Sequence, residues 1–383
     1  MARRSNRSWS SFAIKSGLLV ALFCALSYGL TFVPIIAGQN RKSKPQPKPS
    51  PTPATSNLKR IGAPPPAPVL RQKTEEEIKP GDVISVETSE VMLPVTVRDR
   101  SGRFVSDLTR KDFHVFEDNR EQPLSDLALR QVPVDVILMV DASSSVAANL
   151  DDFRRAAEQF ADKLDPNDRI SLIKFDDRVQ LLQDWTRSRY QLHRALTRIE
   201  GGMFTRFNDA LVLAARDQFG TTQSRRAIIV LSDGVDSGRG TTSAEALQAI
   251  LMAQVTVYVI SNTEISRATK RAQLDSLTAS DADARFNQLR IDDLREGLHV
   301  LDESEQRLAE LATASGGRLY KPESFNQLGE AYRQVADELR RQYALYYTPL
   351  NKARDGSFCR VHVETSDPTF TTATRVGYYA PRG

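Results

Sequence analysis

From Val134 onward the chain alternates short, fully apolar runs with amphipathic segments: VDVILMV, LDDFRRAAEQFADKL, RISLIKF, then RAIIVLS, ALQAILMAQ and TVYVI. Apolar runs of this length without polar alternation are strands buried on both faces, and segments of helical period between them supply the crossovers. The pattern points to a doubly wound α/β domain with a mostly parallel sheet. Further along, EQRLAELATASGG reads as a helix closed by glycine, RLYKP as a short strand and SFNQLGEAYRQVADELRRQ as a helix. QYALYY then supplies a last strand.

In open sheets of this kind the working crevice lies beyond the carboxyl ends of the strands. Neither VDVILMV nor RAIIVLS is succeeded by GxGxxG or a Walker-type glycine loop, which removes the main support for a nucleotide site. The first strand runs instead into Asp141-Ala142-Ser143-Ser144-Ser145, and RAIIVL runs into Ser232-Asp233-Gly234. Between them GGMFTRFNDA places Thr205 in a glycine-led loop just before a helix, four residues ahead of Asp209.

Carboxylate and hydroxyl oxygens at strand ends form a hard donor set suited to Mg2+ or Ca2+. Two carboxylates with neutral hydroxyls leave such an ion incompletely neutralised, so it attracts a further anion. A partner's carboxylate could complete the shell. Each residue taken alone would serve equally well as a helix cap; the three spaced elements together set the ion site apart.

DxSxS after the first strand, the threonine four before Asp209 and SDG after the fourth strand resemble the von Willebrand factor type A domain, the matched part being its metal-ion-dependent adhesion site. The resemblance implies that Ser143 and Ser145 bind the ion directly, that Thr205 joins the shell, and that Asp141 and Asp233 act directly or through water. It implies Mg2+, with Mn2+ or Ca2+ as alternatives. Two departures stand out: GGMFT places two residues where many relatives have threonine directly after the glycines, and SSSV replaces the glycine and methionine of bacterial DxSGSM versions. The ligand atoms survive both. Met203 and Phe204 form either a hydrophobic lip beside the ion or a contact buried under the first helix.

Residues 81–131 alternate apolar and polar residues, with turn signals at DRSGR and EDNRE, and read as about four antiparallel strands. Ser357 to Val363 and Thr372 to Tyr379 read as strands joined by ETSDPTF, so the flanking pieces can form one accessory antiparallel β unit. The phrases VTVRDRSGRFVSDLTRKDFHVFEDNREQ, YALYYTPLNKARDGSFCRVHVET and TRVGYYAP resemble a bacterial subgroup, the von Willebrand A-related proteins abundant in acidobacterial genomes. Residues 262–302 make a charge-balanced stretch too long for a plain connection. It is expected to hold a helix and to lie either beside the metal loops or on a solvated surface.

The chain opens with Arg3, Arg4, Arg7 and Lys15 and then runs from Gly17 to Gly38 without a charge. That order fits a signal peptide or an N-terminal transmembrane anchor over residues 1–38, and makes the membrane an expected partner. Residues 39–80 come next as a Pro-rich linker. The expected division is completed by the N-terminal β segment 81–131, the von Willebrand factor type A domain 132–348 and a C-terminal β segment 349–383.

Residues 1–80 hold 13 of the 52 Lys and Arg but 3 of the 48 acidic residues, so the basic character belongs to the tail and the rest is net acidic. A nucleic-acid partner is thereby excluded. Cys24 lies in the apolar run, leaving Cys359 without an internal disulfide partner, and four scattered histidines give no zinc spacing.

The expected function is an exported, membrane-tethered binding module, periplasmic or at the cell surface. It would capture an acidic group on a protein or cell-surface partner through a bound divalent ion. The alternative is a metal-independent structural scaffold for envelope complex assembly. No enzyme is expected: no GxSxG surrounds Ser143, and no histidine occupies a strand-end position.

Overall fold

The structure is a computed structural model that describes residues 90–129, 132–143, 149–219, 224–238, 240–279 and 285–382. The expected export segment and linker, and Ser145, lie outside the described residues. Among the described residues no helix is long and apolar enough to cross a membrane.

The α/β part is built on a six-stranded sheet. Its strands are β5 (Val134–Asp141), β6 (Arg169–Phe175), β7 (Val179–Thr186), β8 (Arg225–Ser232), β9 (Thr256–Ser261) and β10 (Leu319–Tyr320), in the order β10-β9-β8-β5-β6-β7. All neighbours pair in parallel except β7, the half-exposed edge strand, which runs antiparallel to β6. β5 is buried along its whole length because helices cover both of its faces. Val136, Leu138 and Val140 point into one core, Ile137 and Met139 into the other, as the two-residue period of a strand requires.

The first core is closed by α1 (Leu150–Lys163), α2 (Arg189–Leu196) and α7 (Leu328–Arg341). On α7 the buried residues Leu328, Ala331, Tyr332, Val335, Ala336 and Leu339 recur at helical spacing, giving the helix one apolar stripe. The second core is closed by α3 (Phe207–Leu213), α4 (Ser243–Met252) and α6 (Gln288–Ala314). With α5 (Thr263–Thr278), α6 occupies most of the described part of the long stretch after β9, in line with the helix expected there.

The flanking segments form two four-stranded antiparallel sheets around a shared core. One has the order β13-β1-β11-β4, from β1 (Val91–Arg98), β4 (Leu124–Leu129), β11 (Tyr343–Tyr347) and β13 (Thr371–Ala373). The other has the order β14-β12-β2-β3, from β2 (Phe113–Glu117), β3 (Arg120–Gln122), β12 (Phe358–Thr365) and β14 (Gly377–Tyr379). Leu93, Val95 and Leu345 of the first meet Val115, Val361 and Val363 of the second. The β2–β3 hairpin turns through Asp118 and Asn119 at φ 46° and 65°, the left-handed pair that a tight two-residue hairpin demands and these residue types tolerate.

QYALYY departs from expectation. It is β11, and it pairs with β1 and β4 in the antiparallel unit rather than closing the α/β sheet, whose last helix ends at Arg341. A fully apolar run states that a strand is buried but not which neighbour it finds. The α/β part is thus a long insertion between two strands paired side by side, Tyr343 opposite Leu129. Arg225 ties the connection into β5 to the last turn of α7, donating to the carbonyls of Val132 at 3.1 Å and Leu339 at 2.7 Å. On the other side Arg98 of β1 pairs with the buried Glu338 of α7 at 2.6 Å.

Candidate functional site

β5 sends the chain to β6 on one side while β8 lies on the other, so the crevice at the carboxyl ends of β5 and β8 is the switch point of the sheet. Asp141 is the last residue of β5 and Asp233 comes directly after the last residue of β8, which brings both carboxylates to that crevice.

Asp141 is fully buried. Its Oδ1 accepts from the Ser143 amide at 2.9 Å and its Oδ2 from the Ser232 hydroxyl at 2.7 Å. Ser232 Oγ in turn accepts from the Gly234 amide at 2.9 Å, tying the two strand ends together. Burial first, and the neighbouring Asp233 carboxylate second, push the Asp141 carboxyl up to about 7, against the lowering effect of the bonds from Ser143 and Ser232. The crevice therefore carries more negative charge than its own donors relieve.

Thr205 is buried on the third loop. The Gly202 amide donates to the carbonyl of Ala142 at 2.7 Å, and the Ser237 amide to the carbonyl of Thr205 at 2.9 Å. The GGMFT loop is thus tied to the loop after β5 and to the loop after β8. Gly202 has to be glycine, because a Cβ there would stand 2.4 Å from the Asp176 carboxylate, itself paired with the buried Lys174 at 2.6 Å. Asp141, Ser143 and Asp233 share the crevice, and Thr205 sits on the loop laced to it.

Two supports of the site escape sequence reading. Ser304 of α6 donates to the main-chain carbonyl of Asp233 at 2.5 Å, and Leu308, one turn on, packs against Gly234 at φ 70°. No local signal links positions so distant in the chain. Ser232 is within reach of such reading, since alternation along parallel strands in register puts it on the same face of the sheet as Asp141.

Met203 and Phe204 are exposed, which settles their expected alternatives against burial under α1. Asp209, four residues after Thr205, accepts instead from the Thr241 hydroxyl at 2.6 Å and amide at 3.2 Å, and so anchors the loop ahead of α4. The histidines each stand beside a glutamate: His114 with Glu121, His193 with Glu158, His299 with Glu303 and His362 with Glu364.

Among the described residues no three His, Cys, Asp or Glu side chains gather as metal ligands. The donor set is of another kind, two carboxylates with hydroxyls. Burial first and the Asp233 charge second lift Asp141, and such a pair of oxygen donors fits a hard divalent cation.

Residues 135–304 match the family model of the von Willebrand factor type A domain. No curated protein sequence matches the chain. Among solved structures, a von Willebrand factor type A protein from Catenulispora acidiphila aligns over 73% of this chain and 75% of its own, at 12% identity and a TM-score of 0.42. The von Willebrand factor domain of a type V pili tip protein from Porphyromonas gingivalis aligns over 54% of this chain and 95% of its own, at 15% identity and a TM-score of 0.40. Proximal thread matrix protein 1 from the mussel byssus, with a zinc-occupied MIDAS motif, aligns over 58% of this chain at 14% identity and a TM-score of 0.42. This chain spans 49% of that protein's length. Residues 135–304 of this chain are thus identified as a von Willebrand factor type A domain.

Proposed function

We propose that this protein is an extracytoplasmic binding module, tethered to the membrane by its N-terminal segment, that captures an acidic group on a protein or cell-surface partner through a divalent ion, Mg2+ in the first instance. The observation that carries the reading is that Asp141 and Asp233 stand together at the switch point, where burial and the neighbouring charge raise the Asp141 carboxyl to about 7. Asp141, Ser143, Thr205 and Asp233 would hold the ion, together with Ser145. When bound, the ion supplies a Lewis-acidic position that a partner's carboxylate can occupy. The protein's own residues hold and orient that position.

An adhesive rather than catalytic role is supported by the sequence, in which no GxSxG surrounds Ser143 and no histidine follows a strand end of the parallel sheet. The export half of the proposal rests on the order of a basic stretch and an apolar run within residues 1–38.

The test is calorimetric titration of the purified protein with Mg2+, then pull-down from envelope extracts with and without chelator. Ion binding and partner capture both lost in Asp141→Ala support the proposal. A captured partner whose affinity ignores both chelator and that substitution refutes it, and leaves a metal-independent scaffold.

A further inference from the structure

Large apolar side chains scattered over a surface need no explanation, but two adjacent ones fixed beside a charged site do. Met203 is 75% and Phe204 60% exposed. Their main chain is held all the same. The Gly202 amide bonds Ala142, the Phe204 amide donates to Asp177 Oδ1 at 3.0 Å, and the Thr205 carbonyl accepts from Ser237. The loop is anchored at three points and presents its two bulkiest side chains to solvent. The next residue is the candidate ligand Thr205. Arg206 comes after it, its side chain 53% exposed and 3.4 Å from Asp209 Oδ2. An acidic partner group therefore meets a cation-binding crevice, a guanidinium and an apolar ledge within a few residues.

We propose that the partner of this site is an extended polypeptide segment bearing an acidic side chain and, two residues away on the same face, a bulky apolar side chain that packs on Met203 and Phe204. The inference rests on the ion-dependent reading and adds the apolar requirement. The spacing comes from strand geometry: side chains two residues apart in an extended chain share a face about 7 Å apart. Consecutive Cα atoms are about 3.8 Å apart, so Met203 lies within about 8 Å of Thr205. The carboxylate and the apolar group can then be seated together. Arg206 adds charge complementarity for the acid, which favours a peptide carboxylate over a purely apolar ligand.

The experiment is selection from a displayed library of random peptides on the whole protein in Mg2+, with elution by chelator. Eluted peptides are expected to share an acidic residue with a bulky apolar residue two positions away. A selected peptide is expected to bind the Met203→Ser, Phe204→Ser double variant about tenfold or more weakly, at an unchanged melting temperature. Chelator-eluted peptides with an acidic residue and no apolar preference, or equal binding by the double variant, overturn this inference and leave the ion-dependent reading standing. A library that yields no chelator-sensitive binder overturns the ion-dependent reading and this inference with it.

Discussion

Ser304 and Asp233 lie 71 residues apart in the chain and meet in a 2.5 Å hydrogen bond from hydroxyl to main-chain carbonyl. The helix whose second half reads as EQRLAELATASGG is thereby part of the frame of the candidate ion site. Ser304→Ala removes a buried bond worth about 1 kcal/mol. If the loop carries that loss, Mg2+ affinity falls about fivefold, with a matching loss of stability. Calorimetry and denaturant unfolding on the same variant check both. Unchanged ion affinity would mean that α6 only packs against the loop.

Gly234 holds the same loop against the same helix. A Cβ there would stand 2.6 Å from Leu308 and 2.7 Å from the Ser304 hydroxyl, on a backbone at φ 70°. Gly234→Ala is expected to destabilise the protein by about 2–4 kcal/mol, combining the disfavoured conformation with overpacking. Leu308→Ala relieves only the second part. The double variant should therefore be more stable than the sum of the single effects predicts. Strict additivity in denaturant midpoints would rule out the contact.

The Asp141 carboxyl gives the ion-free protein a pH signature. Its folded value of about 7 stands above the ordinary 3.8, so its contribution to stability is fully present below about pH 4 and is lost as pH rises through 7. The total is on the order of 4 kcal/mol. Measured in chelator from pH 5 to 8, the wild type should lose stability relative to Asp141→Asn, the comparison cancelling groups common to both. Adding Mg2+ at pH 8 should restore much of the difference. A difference that does not change with pH would show that Asp141 titrates normally.

Arg98 and Glu338 join the β unit to the last helix of the α/β part. Glu338 is buried and also accepts from the Tyr320 hydroxyl at 3.0 Å. Arg98→Ala strands that carboxylate, and is expected to destabilise by about 3 kcal/mol. Adding Glu338→Gln removes the stranded charge while keeping an acceptor for Tyr320, so most of the loss should return. A double variant no more stable than Arg98→Ala would show that the charge is not what matters.

The legible part of this protein is what one period can state. Alternating runs mark the strands of the parallel sheet, because burial on both faces keeps the middle of β5 (Val136 to Val140) and of β8 (Ala227 to Leu231) wholly apolar. Short-range spacing picks out Asp141, Ser143 and Asp233, since residues just past strand ends fall at the crevice whatever the loops do. EDNRE announces its hairpin because only a few residue types accept the conformation of Asp118 and Asn119. The placing of β11, and the roles of Ser304 and Leu308, depend on contacts between distant segments that no local pattern encodes. The exposure of Met203 and Phe204 belongs with them, since hydrophobicity alone does not distinguish a ledge from a core.

β4 and β11 are paired neighbours, and the whole α/β part leaves and rejoins the β unit between Leu129 and Tyr343. Such adjacent ends make the α/β part an exchangeable cassette. A homologous fold of the same span can be grafted between these two positions while β13, β1, β11 and β4 keep their ladder, given a replacement for the grip of Arg225 on its two carbonyls. The loops at the carboxyl ends of β5 and β8 are then free to diversify under a fixed mount.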